Sequence, residues 1–159
     1  MTAAGRMALF GELASMPACL EAAVRALPGE RALLRGPDEG FCLVEQAWHL
    51  ADLEREGYAS RIRRLLEETQ PQLPDFDGAR IARERDYRSL SLAEGMARFA
   101  ASRAANLAAL RLVPETAWQR SGVQEGVGAL VLADLPRMMA EHDRGHRQEI
   151  AILMKTHRG

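Results

Sequence analysis

His142 and His146 stand four positions apart in a stretch, Met138 to Ile150, whose composition suits a helix. At 3.6 residues per turn they lie above one another on one face, the spacing that two metal ligands on a helix require. The apolar stripe of the same helix, through Leu135, Met139, Ile150 and Leu153, passes through both histidines. Two imidazoles therefore point where a core should be, and either a metal ion or buried hydrogen-bond partners must satisfy them. Gly145 between them costs about 1 kcal/mol against alanine in a helix interior, which predicts a close approach to the backbone there.

A third imidazole belongs to the segment from about Phe41 to Thr69. There Val44, Trp48, Ala51, Ile62 and Leu66 share one arc, and Glu45, His49, Asp52 and Glu56 form a narrow strip at its edge. On facing helices of a bundle such side chains converge, so His49 is expected to meet His142 and His146. The carboxylates have plainer readings too. Asp52 and Glu56 suit a solvated acidic strip, and Cys42-x-x-Glu45 occupies the positions of a capping box. His157 lies eleven residues past His146, about 16 Å further along the axis at 1.5 Å per residue, and is read as a terminal surface residue. His142-Asp143-x-x-His146 also looks like a zinc-peptidase motif. Such enzymes take their third ligand from downstream, where only thirteen residues remain.

Four long Ala/Leu/Arg/Glu-rich segments must position these groups: about Gly5 to Leu27, Phe41 to Thr69, Ser91 to Leu112 and Leu132 to His157. The expectation is a single all-α domain over residues 1–159 with a four-helix bundle as its core, and any β-sheet of three or more strands would overturn it. Pro17 should kink or restart the first helix, while Pro136 falls in the first turn of the last, where N–H groups lack internal partners. Ser91-x-x-Glu94 caps the third helix, and Asp77 caps a short turn within the linker Gln70 to Leu90. Pro114 to Gly128 is read as an irregular connection with Trp118 as a lid-like packing residue. Arg103 and Asn106 share part of the third helix's inward stripe, although an arginine there more commonly snorkels past the helix edge.

The chain's 159 residues and 47% hydrophobic content are enough for one substantial core. With 21 basic and 22 acidic side chains intermixed and a formal net charge of −1, it offers no basic field for nucleic acid or anionic lipid. Apolar runs fall short of a bilayer span and the N-terminus lacks a signal-type stretch, so the expected setting is cytoplasmic. Cys19 and Cys42 have no C-x-x-C spacing and are read as small buried hydrophobes.

Glu45-Gln46-Ala47-Trp48-His49-Leu50-Ala51-Asp52 and His142-Asp143-Arg144-Gly145-His146 together resemble the DinB/YfiT-like bundle proteins, whose signature is Glu-x-x-x-His-Leu-x-Asp on helix two and His-x-x-x-His on helix four. The similarity extends over nearly the whole chain, including Phe99 to Arg103, Trp118 to Val123 and Glu149-Ile150. It implies an up-down-down-up bundle in which His49, His142 and His146 bind a divalent metal. It also implies relatives that are thiol-dependent transferases and isomerases or metal-dependent hydrolases. Phe41-Cys42, Gln124 and Glu149 depart from residues common in the family, which bears on substrate rather than metal.

Three neutral imidazoles leave a coordination position open, as catalytic metals do. Imidazole suits Zn, Ni, Fe and Cu alike, so the residues do not choose the metal. The expected cofactor is a divalent ion, with Zn, Ni, Fe or Mn as candidates. Glu149 and Asp52 are the expected catalytic or ligand-orienting carboxylates, ahead of Glu45 and Asp143. The expected partner is a small-molecule substrate or a low-molecular-weight thiol, with a homodimer as the candidate assembly. A non-catalytic, metal-stabilised binding module is the alternative to an enzyme.

Overall fold

Pro17 has no N–H to donate, and the first long segment accordingly divides into α1 (Ala3–Ala14) and α2 (Met16–Ala26), with the proline in the first turn of α2. The computed structural model describes residues 1–158. The second segment runs as α3 (Leu43–Asp52), a π-helical turn (Leu53–Tyr58) and α4 (Ala59–Glu67). A short strand β1 (Gln72–Leu73) and a short helix α5 (Gly78–Glu84) follow, the latter capped by Asp77, which accepts the Arg80 N–H at 3.0 Å. The third long helix is α6 (Leu92–Arg111), whose cap Ser91 accepts the Glu94 N–H at 3.2 Å. After strands β2 (Ser121–Gln124) and β3 (Gly128–Val131), α7 (Leu135–His157) begins with Pro136 in its first turn.

The four-helix bundle is as expected, and the departure lies in its connections. β1 pairs parallel to β2, and β2 antiparallel to β3, giving a three-stranded sheet, which corrects the expectation of a chain without one; its strands are two to four residues long and lie only in the connections, so the four-helix bundle itself stands. Gly126 and Gly128 adopt φ of +75° and +100°, so they act as hairpin residues joining two strands rather than as breakers of an irregular loop. Trp118 is buried in the core beneath this hairpin, with the Arg6 guanidinium 4.6 Å from its ring, and is not a lid.

The apolar core falls into two clusters. Met16, Leu20, Leu43, Trp48, Phe99 and Ile150 belong to one. Phe10, Leu13, Leu53, Tyr58, Leu110 and Met139 belong to the other. Along three of the four segments the change from one cluster to the other is marked by polar side chains: Asp52 and Glu54 in the second segment, Arg103 on α6, His142 to His146 on α7.

Arg103 does not snorkel. It is 2% exposed, and all five of its N–H groups are used: on Glu54 Oε1 at 2.9 and 2.7 Å, on Asp143 at 2.6 and 2.9 Å, and on the Leu13 carbonyl at 2.8 Å. Asn106 donates to the second oxygen of Glu54 at 2.7 Å. A buried guanidinium is tolerated because every donor is matched, and this network ties α1, α6, α7 and the π-helical turn together.

One stretch, Ala3–Ala26, is by length and mean hydropathy of 1.3 apolar enough to cross a membrane. It is broken at Ser15, and Phe10, Leu13, Met16, Leu20 and Ala23 are buried in the bundle.

Candidate metal centre

His49 is brought in by α3, His142 and His146 by successive turns of α7. One ring nitrogen from each lies within 4.8 Å of the others. Nε2 of His142 is 3.3 Å from Nε2 of His49 and 3.0 Å from Nε2 of His146. A proton on His142 Nε2 can satisfy one of those contacts, not both, whereas a cation between the three lone pairs satisfies all of them. Ligand–metal bonds near 2.0–2.1 Å in tetrahedral array put ligand nitrogens roughly 3.4 Å apart, so these residues fit a divalent ion.

Burial keeps His49 and His142 in the neutral form that binds metal. Desolvation, aided by the neighbouring His146, lowers His49 from 6.5 to about 4. Desolvation also lowers His142 to about 3, with His146 and His49 contributing. The surround is largely aromatic: Phe41 lies 5.3 Å and Phe76 6.1 Å from the His49 ring, and Tyr58 meets His142 edge-on at 6.4 Å.

Gln46, which the residue pattern did not single out, orients His146. It is fully buried, and its Oε1 stands 2.6 Å from His146 Nδ1, so Nδ1 carries the proton and Nε2 presents its lone pair. Gln46 Nε2 in turn donates to Glu149 Oε2 at 2.6 Å, the same oxygen that lies 3.2 Å from His146 Nδ1. The signal was available, since Gln46 precedes His49 by three residues and shares its helix face.

Glu149 thus sits beside a histidine, as its spacing suggested, and is half-exposed. The hydrogen bond from His146, opposed by desolvation and reinforced by Gln46, holds its carboxyl down at about 2. Asp52 is placed differently. It is buried rather than part of a solvated strip, and it accepts from the Tyr87 hydroxyl at 2.6 Å and from Arg85. Asp143 faces Arg103 and forms no hydrogen bond with an imidazole. Glu45 takes its capping role: Oε2 accepts the Cys42 N–H at 2.9 Å, and Oε1 accepts from Arg35 at 2.7 Å.

The close backbone approach expected at Gly145 is found elsewhere. A Cβ at Gly145 would meet nothing within 4 Å, but one at Gly78 would stand 2.5 Å from His49 Cε1 and 2.6 Å from Nδ1. The first residue of α5 therefore presses its backbone against the imidazole, and His49 Nδ1 is enclosed there without a hydrogen-bond partner. A pocket of about 150 Å³ lies alongside, lined in part by Phe41, Glu149, Ile152 and Leu153. Of the three departures from family residues, Phe41 and Glu149 border this pocket, while Gln124 lies buried in β2.

Residues 12–150 match the family profile described as the DinB superfamily, and the chain belongs to that family. The fold is similar to that of YfiT from Bacillus subtilis, with a TM-score of 0.89 at 18% sequence identity over 98% of this chain and 89% of the other. That protein is described as "a probable metal-dependent hydrolase with an unusual four-helix bundle topology". No curated protein matches the sequence.

Proposed function

We propose that His49, His142 and His146 hold a divalent metal ion and that the chain is a metal-dependent enzyme acting on a small molecule, with hydrolysis as the first reading. The observation that carries this is the convergence of three imidazoles, with His142 Nε2 3.3 Å from that of His49 and 3.0 Å from that of His146, in a desolvated, aromatic-walled site. The description of YfiT supports it. A divalent ion held by three imidazoles keeps a coordination position open and there serves as a Lewis acid.

The chain's own residues divide the remaining work. Gln46 keeps the proton on His146 Nδ1, and Glu149 anchors the Gln46 amide. Phe41, Phe76 and Tyr58 restrict water around the rings, which strengthens electrostatic interactions inside the site. Glu149, ionised at any working pH, is a weak proton acceptor and is better suited to holding a donor group of a ligand in the adjoining pocket.

That observation also favours a second reading, transfer of a low-molecular-weight thiol. With Glu149 held at about 2 and Asp52 committed to Arg85 and Tyr87, no free carboxylate base faces the imidazoles, and a nucleophile that ionises readily asks least of such a site. The test is to load untagged protein with Zn, Ni, Mn or Fe(II) in turn. Ester and amide hydrolysis, and conjugation of several small thiols to an electrophile, are then assayed with His49→Ala as control. Metal-dependent turnover that disappears in the control supports an enzyme, and its dependence on thiol separates the two readings. Ligand-induced stabilisation without turnover under any metal would replace both with a binding module.

A further inference from the structure

Among the described residues three arginines are buried, and two of them are paired. Arg103 is matched by Glu54, Asp143 and a carbonyl, and Arg6 by Glu115 and the Met1 carbonyl. Arg61 is 5% exposed and, among the described residues, makes no hydrogen bond and no ion pair. Its Nε is enclosed without a partner. Its one close favourable contact is the face of Tyr58, with Cζ 5.4 Å from the ring centroid.

The position of Arg61 connects it to the metal centre by two routes. Tyr58, three residues earlier and on the same face, meets His142 edge-on. Asp75, whose charge acts on Arg61 without forming an ion pair, is followed by Phe76 and Gly78, which both lie against His49. Arg61 is thus next to the loop and the tyrosine that wall the imidazoles. A largely buried guanidinium whose Nε is enclosed and whose terminal donors make no protein hydrogen bond presents a planar fork, the arrangement that receives a carboxylate or phosphate through two parallel hydrogen bonds.

We propose that Arg61 is an oxyanion-binding residue at the border of the metal centre, and that the molecule bound there carries a carboxylate or phosphate group which docks on it. As a binding site this stands on the geometry of Arg61 alone; as a statement about substrate it rests on the enzymatic reading above. Tyr58 backs the guanidinium, and the Asp75 charge helps keep it protonated.

The test begins with metal-free protein titrated with acetate and with inorganic phosphate at constant ionic strength, followed by calorimetry and by the NMR signal of the Arg61 Nε–H. Saturable binding that moves this signal is expected, and the anion that binds more tightly identifies the source. Arg61→Met should weaken binding by roughly tenfold or more, the loss of a charge-assisted pair, while Arg61→Lys retains part of it. Equal affinity in Arg61→Met, or an unmoved Nε–H signal at saturation, would overturn the site. If Arg61→Met does not fold, the wild-type signal and Arg61→Lys still decide. In metal-loaded protein, an ester bearing a distal carboxylate should show a lower KM than its neutral methyl-ester analogue, and the difference should shrink in Arg61→Lys. Equal KM values would overturn Arg61 as a substrate anchor. Turnover of neither ester, with anion binding intact, would count against the hydrolase reading and leave the site standing.

Discussion

Gln46 and His146, exactly one hundred positions apart, meet with Oε1 2.6 Å from Nδ1 inside the bundle. The contact decides which imidazole nitrogen carries the proton, so α3 supplies both a candidate ligand, His49, and the residue that orients a second candidate, His146, on α7. Gln46→Leu keeps the volume and removes the acceptor. Metal affinity is expected to fall by about 10–100-fold, the usual cost of losing such a partner. Competition against a chromophoric chelator measures it, and an unchanged affinity would reduce Gln46 to a packing residue.

Gly78 acts on His49 by shape alone. Gly78→Ala would place a methyl 2.5 Å from the imidazole, and the ring, at the end of its side chain, must rotate away from His142. The expected result is a folded protein with a nearly unchanged melting temperature without metal but weakened metal binding. Gly145→Ala, facing open space, should gain about 1 kcal/mol of stability and leave binding unaffected. Thermal melts with and without added metal check both variants. Equal metal-induced stabilisation of Gly78→Ala and the wild type would contradict the prediction.

The two glycines also show which parts of the site the sequence could convey. His142 and His146 were readable because both candidate ligands sit on one helix, where spacing alone sets direction. The caps Ser91 and Asp77 and the breaks at Pro17 and Pro136 were readable for the same reason: their physics is local. Gly78 and Gly145 look alike in sequence and differ only in what another element brings against them. The π-helical turn contains one local mark, Gly57, where an added Cβ would stand 2.6 Å from Leu53 Cδ1, but a lone glycine does not specify an extra residue in the turn, and it is this turn that brings Glu54 inward to Arg103, so the buried ion pairs could not be anticipated. β1 and β2 pair between positions 51 apart, such as Gln72 and Val123, and are too short to show an alternating pattern, whereas the Gly126 and Gly128 hairpin was within reach of turn chemistry.

Arg103 should prove a stability residue with no direct part in metal binding. Arg103→Met leaves Glu54 and Asp143 buried without their cation, which costs about 3–5 kcal/mol when one partner of a buried pair is removed. Adding Glu54→Gln and Asp143→Asn to that variant removes the stranded charges and should recover part of the loss. Urea unfolding of the series, read as a coupling energy, tests this. Additive costs would mean that the three groups do not act as a unit.

Acid should destabilise the metal-free protein through the imidazoles that metal would occupy. His49 and His142 have folded-state values of about 4 and about 3 against 6.5 when exposed, both driven first by desolvation. Between those limits the unfolded chain binds more protons than the native one, so stability is full above about 6.5 and falls as pH drops towards 3–4. Glu149, lowered from 4.5 to about 2 chiefly by its hydrogen bond with His146, shifts the balance the same way at the acid end. The combined loss between pH 7 and pH 4 is expected to be a few kcal/mol. Urea midpoints measured across that range in the presence of a chelator should therefore decline, with most of the fall below pH 6.5. His142→Gln, which removes one depressed imidazole, should flatten the curve. A wild-type curve level from pH 7 to pH 4 would show that the imidazoles remain protonatable in the native state and that the site is wetter than its aromatic walls imply.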